Sequence, residues 1–243
     1  MRIDLFRFIY IYIIFGFLII YFLLIGVKIY KRDSDNYLSK ILVCFYHLIA
    51  TAFIVNLIYA SLRDPAFQLL VNHLNILTIF LICFAMGFLL LFGLSLYFPV
   101  LMNSKKKISI FLSIYFIACL FLFLIPNGVQ VPISNTGKQS FPIWNFAFSS
   151  YVFLIFFVSL FLTIIFSIKT YKKFRTPLLA KRMRYFILGT LIMSYFGIAA
   201  CIFNFLNIYF LRILNLIVSF ILLFPGSFFL YIGIGEEIRI QVV

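Results

Sequence analysis

The stretch HLNILTIFLICFAMGFLLLFGLSLYFPVLMNSKKK, residues 73–107, decides the fold class. From His73 to Tyr97 it holds no Asp, Glu, Lys or Arg. A helix rises 1.5 Å per residue, so about 20 residues cross a hydrocarbon core about 30 Å thick. This run is long enough to span a bilayer. It has an amphipathic lead-in from Phe67 to Asn72 and stops near Pro99, ahead of Lys105-Lys106-Lys107. Proline breaks a helix, and a lysine cluster stays out of hydrocarbon.

Six more runs read the same way, giving expected spans over 6–27, 41–62, 73–97, 108–125, 144–168, 185–206 and 209–233. Together they predict an all-α integral membrane protein, a seven-transmembrane-helix bundle forming one domain over 1–243. Mean hydropathy is +1.19. The chain is 65% hydrophobic and only 11% charged, against about a quarter charged in soluble domains. No interval between spans has room for a soluble domain of about 50 residues.

The net charge of +14 would point to nucleic acid in a soluble protein. Its distribution gives a different meaning. Loop one holds four Lys or Arg, loop three three, loop five seven and the tail one, so 15 of 20 lie on one side. Such cations are retained beside anionic lipid on the cytoplasmic face, which predicts an outside N-terminus and a cytoplasmic C-terminus. Loop five, residues 169–184, is a cytoplasmic basic loop of Lys169, Lys172, Lys173, Arg175, Lys181, Arg182 and Arg184 without an acid. The expected partner is the lipid bilayer, with no nucleic acid.

The first apolar run is longer than a signal-peptide core, lacks a small-x-small cleavage site and ends in Lys28, Lys31 and Arg32, so a retained helix is expected. Cys44, Cys83, Cys119 and Cys201 fall in four different apolar runs without metal-type spacing, and behave as small apolar residues. Trp144 opens span five where interfacial aromatics anchor. Residues 127–142, with Pro132, Gly137 and Pro142, form the longest external segment.

Ionisable residues inside a membrane are costly and mark function. All six acids (Asp4, Asp33, Asp35, Asp64, Glu236 and Glu237) fall at termini or in loops, which argues against proton pumps and ion-coupled carriers. Span seven has no lysine for a retinal Schiff base. His47 and His73 differ in depth by roughly 20 Å, too far to share a haem iron. No cofactor, metal or catalytic constellation is expected, and the chain reads as a non-enzyme.

Apart from Arg7 at the very edge of span one, Arg212 is the one charge within a span. Its stem can snorkel to the outer interface, or it can face inward with Asn204, Asn207 and Asn215. Asn56 in span two and Asn75 in span three approach the same outer half. Arg212, Asn204, Asn207, Asn215, Asn56 and Asn75 are therefore the candidate ligand-side residues, with helix-to-helix hydrogen bonding as the alternative use of the asparagines.

Three stretches carry a family resemblance. They are Phe88-Leu89-Leu90-Leu91-Phe92-Gly93-Leu94-Ser95-Leu96-Tyr97-Phe98-Pro99, then Pro126-Asn127-Gly128, then Lys181-Arg182-Met183-Arg184-Tyr185-Phe186-Ile187-Leu188-Gly189. Together they resemble the seven-helix N-terminal sensor region of membrane histidine kinases. Family members continue from helix seven into PAS or kinase domains. Here no dimerisation histidine, ATP-binding asparagine or Gly-rich lid follows Ile234. The resemblance implies a stand-alone sensor module that signals through a partner.

Three functions are open at this point. A receptor-like module would bind a small molecule or lipid from the outer side and signal through a cytoplasmic partner, in a prokaryotic cell membrane. An accessory subunit of a larger membrane complex, including an organelle-encoded one of the mitochondrial inner membrane, is the second. A transporter is third, disfavoured by the missing intramembrane acids.

Overall fold

The computed structural model describes residues 9–62, 64–102, 104–132 and 141–235. Among the described residues seven helices are long and apolar enough to cross a membrane, and the chain is an all-α, multi-pass membrane protein. The helices are α1 (Phe15–Arg32, preceded by a π-helical turn Ile9–Ile14), α2 (Tyr37–Ser61), α3 (Gln68–Tyr97), α4 (Lys105–Leu120), α5 (Phe146–Tyr171), α6 (Pro177–Leu206) and α7 (Tyr209–Gly235). Lipid contact follows from the large apolar side chains left exposed along them, such as Phe17, Ile114, Leu154 and Ile221.

The helices outrun the expected spans, mostly at their charged ends. Loop five, expected over 169–184, contracts to the link between Tyr171 and Pro177. Of its seven cations only Lys172, Lys173 and Arg175 lie in that link; Lys169 is on α5, and Lys181, Arg182 and Arg184 are on α6. The reason is physical: Lys and Arg are good helix formers, so charge marks where hydrocarbon stops, not where the helix stops. Caps and Pro177 define the true starts. Asn36 Oδ1 accepts from Leu38 N at 2.9 Å and Asn145 Oδ1 from Phe148 N at 2.8 Å.

Helices α1, α2, α3, α5, α6 and α7 close in that order into a ring, with α7 returning to touch α1, while α4 packs outside against α3. The most buried helix is α3, covered on nearly every side between Phe80 and Leu96, as a helix apolar all round must be. By contrast, Cys119 and Leu122 are the buried residues that α4 and its 3-10 extension contribute. Tyr115 pegs α4 in place: its hydroxyl donates to Cys83 O at 3.1 Å and lies 2.7 Å from Ser159 Oγ.

Helices α6 and α7 approach backbone to backbone. A Cβ on Gly233 would lie 2.5 Å from Phe186 N and 2.9 Å from Arg182 O. Small residues of this kind let membrane helices close in on one another. Pro225 interrupts the hydrogen bonding of α7. The carbonyls around it are used by hydroxyls: Tyr21 donates to Phe224 O at 3.2 Å and Tyr46 to Ser227 O at 3.0 Å.

At the end of the bundle opposite the lysines, a two-residue antiparallel ladder pairs β1 (Val129–Gln130) with β2 (Ile143–Trp144), Val129 opposite Trp144. Trp144 is not an interfacial anchor. It is 2% exposed and stacks edge-on against Phe148, because the ladder folds its ring inward under the hairpin.

Candidate functional site

The left-handed backbone of Asn207, φ 52°, ends α6 and turns the chain directly into α7. Asparagine tolerates that region better than most residues. The tight turn lays Arg212, one turn into α7, against the last turn of α6. Arg212 Nη1 donates to Asn207 Oδ1 at 2.7 Å and Nη2 to Asn204 Oδ1 at 2.6 Å. Nη2 also donates to the carbonyl of Pro142, in the hairpin just ahead of β2. The Phe141 ring lies 5.6 Å from the guanidinium carbon.

Arg212 therefore does not snorkel. It is 6% exposed and faces inward. Every partner that it has among the described residues is neutral. The segments that touch it, the hairpin and helices α6 and α7, carry no Asp or Glu, since none occurs between Pro65 and Gly235. A desolvated cation without a counter-charge costs several kcal/mol, which carbonyl dipoles offset only in part.

The cluster extends through a residue that the sequence did not flag. The phenol of Tyr59, on α2, lies within electrostatic range of Arg212 and accepts a 3.0 Å hydrogen bond from Asn75 Nδ2 on α3. Asn75 is 3% exposed, and its Oδ1 has no hydrogen-bond partner among the described residues. Nothing local distinguishes Tyr59 from the other tyrosines of the spans, and a backbone carbonyl such as that of Pro142 leaves no trace in residue type.

The remaining candidates sit apart. Asn215 is buried and accepts from Ser219 Oγ at 3.2 Å, within α7. Asn56 is half-buried and makes no side-chain hydrogen bond among the described residues. Asn72 instead ties down the hairpin, its Oδ1 accepting from Val131 N at 3.0 Å, while Gln68 Nε2 donates to Val131 O at 3.0 Å. The hairpin thus joins α3 at one edge and α7, through Arg212, at the other.

At the opposite end the basic residues are ordered by aromatic rings. Lys173 Nζ sits 3.8 Å and Lys169 Nζ 5.7 Å from the centre of the Tyr97 ring. Arg184 Nε donates to Tyr171 Oη at 3.0 Å, and Lys181 lies 6.0 Å over Tyr185. Lys172 and Arg175 are exposed. The four cysteines are free, and no His, Cys, Asp or Glu group among the described residues could hold a metal ion. No known family model matches the chain, and no curated protein does either.

Proposed function

We propose that the protein is a receptor-like membrane module with its N-terminus outside and its lysine-rich end in the cytoplasm of a prokaryotic cell. It binds a small anionic molecule, or the anionic head of a lipid, from the outer side, and signals through a cytoplasmic protein partner. The observation that carries this reading is Arg212, a buried guanidinium whose hydrogen-bond partners among the described residues are all neutral oxygens. An incoming carboxylate matches the planar fork of the guanidinium better than an amide or a peptide carbonyl does. It would displace Pro142 O and so release the hairpin from α7.

Transmission follows from how α7 is built. Its outer end carries Arg212, its middle is interrupted at Pro225, and its inner half lies against α6 at Gly233. A shift of the outer end relative to α6 would be passed to the basic face around Lys172 and Arg175, where a partner reads it. The ligand moves that equilibrium only by its different affinity for the two arrangements.

The test uses the purified full chain in mild detergent with a panel of carboxylates from acetate to decanoate. At least one should raise the unfolding temperature, by linkage, and Arg212→Gln should abolish the rise. A panel without effect on the wild type, or an equal rise in Arg212→Gln, would overturn the reading. A stoichiometric membrane partner recovered from a protein indifferent to every carboxylate would instead support the accessory-subunit alternative.

A further inference from the structure

A groove of 630 Å³ opens on the outer wall of the bundle, between α3 and the peripheral helix α4. Its inner mouth is Lys105, and its floor follows one face of α4 through Ser109 and Ser113, at i, i+4 and i+8. Leu112 and Phe116 from α4 and Phe84 from α3 form its apolar walls. The small serines make the space and the bulky neighbours bound it. Thr51, Thr78, Thr163 and Ser227 return their hydroxyls to the carbonyl one turn back. The exposed hydroxyls of Ser109 and Ser113 make no such bond among the described residues.

The charge at the mouth breaks a local rule. Helix N-termini favour acids, because the first N–H groups are unpaired and the dipole is positive there. The first turn of α4 holds Lys105, Lys106 and Lys107 with no acid, and the Ser104 side chain makes no capping bond. Three cations on a positive helix end call for an anion. Length narrows its nature. From Lys105 to Ile117 the helix descends roughly 18 Å, close to the depth of one leaflet of a core about 30 Å thick.

We propose that the α3–α4 groove is a binding site for one anionic glycerophospholipid of the leaflet on the basic side. Its phosphate sits at Lys105 and the uncapped first turn of α4. Its ester carbonyls accept from Ser109, a turn deeper, and one acyl chain lies along the wall of Leu112, Ile117 and the Phe84–Phe116 pair, whose rings meet edge to face at 5.4 Å. Charge at the mouth and apolar walls below match this occupant. The spacing of Ser109 and Ser113 would also suit a helix of another protein, but such a helix leaves the lysines unanswered.

Native mass spectrometry of the purified full chain, with phosphatidylglycerol and phosphatidylcholine of matched chains, tests the site. Phosphatidylglycerol should be retained at least about fivefold better, since each cation near a membrane surface favours anionic lipid. K105Q/K106Q/K107Q should remove the preference. K28Q/K31Q/K40Q, an equal charge change at the same end, should keep it. Ser113→Phe, which fills the groove, should lower retention of the bound lipid. Equal retention of the two lipids overturns the proposal, as does equal loss in the two triple variants. So does a partner protein released by Ser113→Phe while lipid preference is unchanged. Should Ser113→Phe fail to fold, the two triple variants, altered only at exposed positions, decide alone.

Discussion

Arg212 Nη2 and Asn204 Oδ1 meet at 2.6 Å across the α6–α7 turn, eight residues apart in sequence. The same nitrogen reaches the Pro142 carbonyl, seventy residues away. One side chain therefore holds two transmembrane helices and the β1–β2 hairpin together.

Arg212→Ala should lower stability by about 2 kcal/mol, since hydrogen bonds to a charged group count for more than neutral ones and interhelical polar contacts in membranes are modest. Arg212→Lys should recover only part of this, because an ammonium lacks the fork that serves three acceptors at once. Hydrogen exchange at Val129 and Trp144 should quicken in Arg212→Ala. Exchange at the wild-type rate would show that the hairpin is tethered elsewhere.

Gly233→Ala and Gly16→Ala should differ in sign. The added methyl at Gly233 meets backbone atoms of Phe186 and Arg182, so α6 and α7 must separate at a cost of about 1–3 kcal/mol. At Gly16 nothing lies within 4 Å, and alanine should stabilise α1 by about 0.5–1 kcal/mol through lower chain entropy. Unfolding midpoints in detergent compare the two. Equal midpoints would contradict the tight α6–α7 contact.

Gln130→Cys and Lys172→Cys report orientation, both positions being exposed and at opposite ends of the bundle. A membrane-impermeant maleimide should label Gln130→Cys in intact cells and Lys172→Cys only after permeabilisation. The reverse pattern would invert the proposed topology and place Arg212 on the cytoplasmic side.

The seven helices were legible because each carries an uninterrupted apolar run, which no other soluble or membrane element of that length requires. Their ends were not. Lys169 and Arg184 continue helices that the charge pattern would stop. The meeting of Arg212 with Asn204 and Asn207 could be seen from spacing around one turn, whereas its inward orientation could not, since an arginine stem reaches either way. Pro142 and Tyr59 joined the cluster through tertiary contacts alone. The peripheral place of α4 was equally hidden, because its run is as apolar as that of α1 or α2.

That peripheral helix has a consequence for polarity. With α4 carrying the chain back across the bundle, α3 and α5 are neighbours that run in the same direction, Gly93 of one against Thr163 of the other. Parallel neighbours add their peptide dipoles instead of cancelling them, so two carbonyl-rich, partially negative ends emerge side by side. Lys169 and Lys173 stand at that point, clasping the Tyr97 ring that closes α3. Part of the basic end thus neutralises the protein's own backbone, and only the remainder is left to face lipid or a partner.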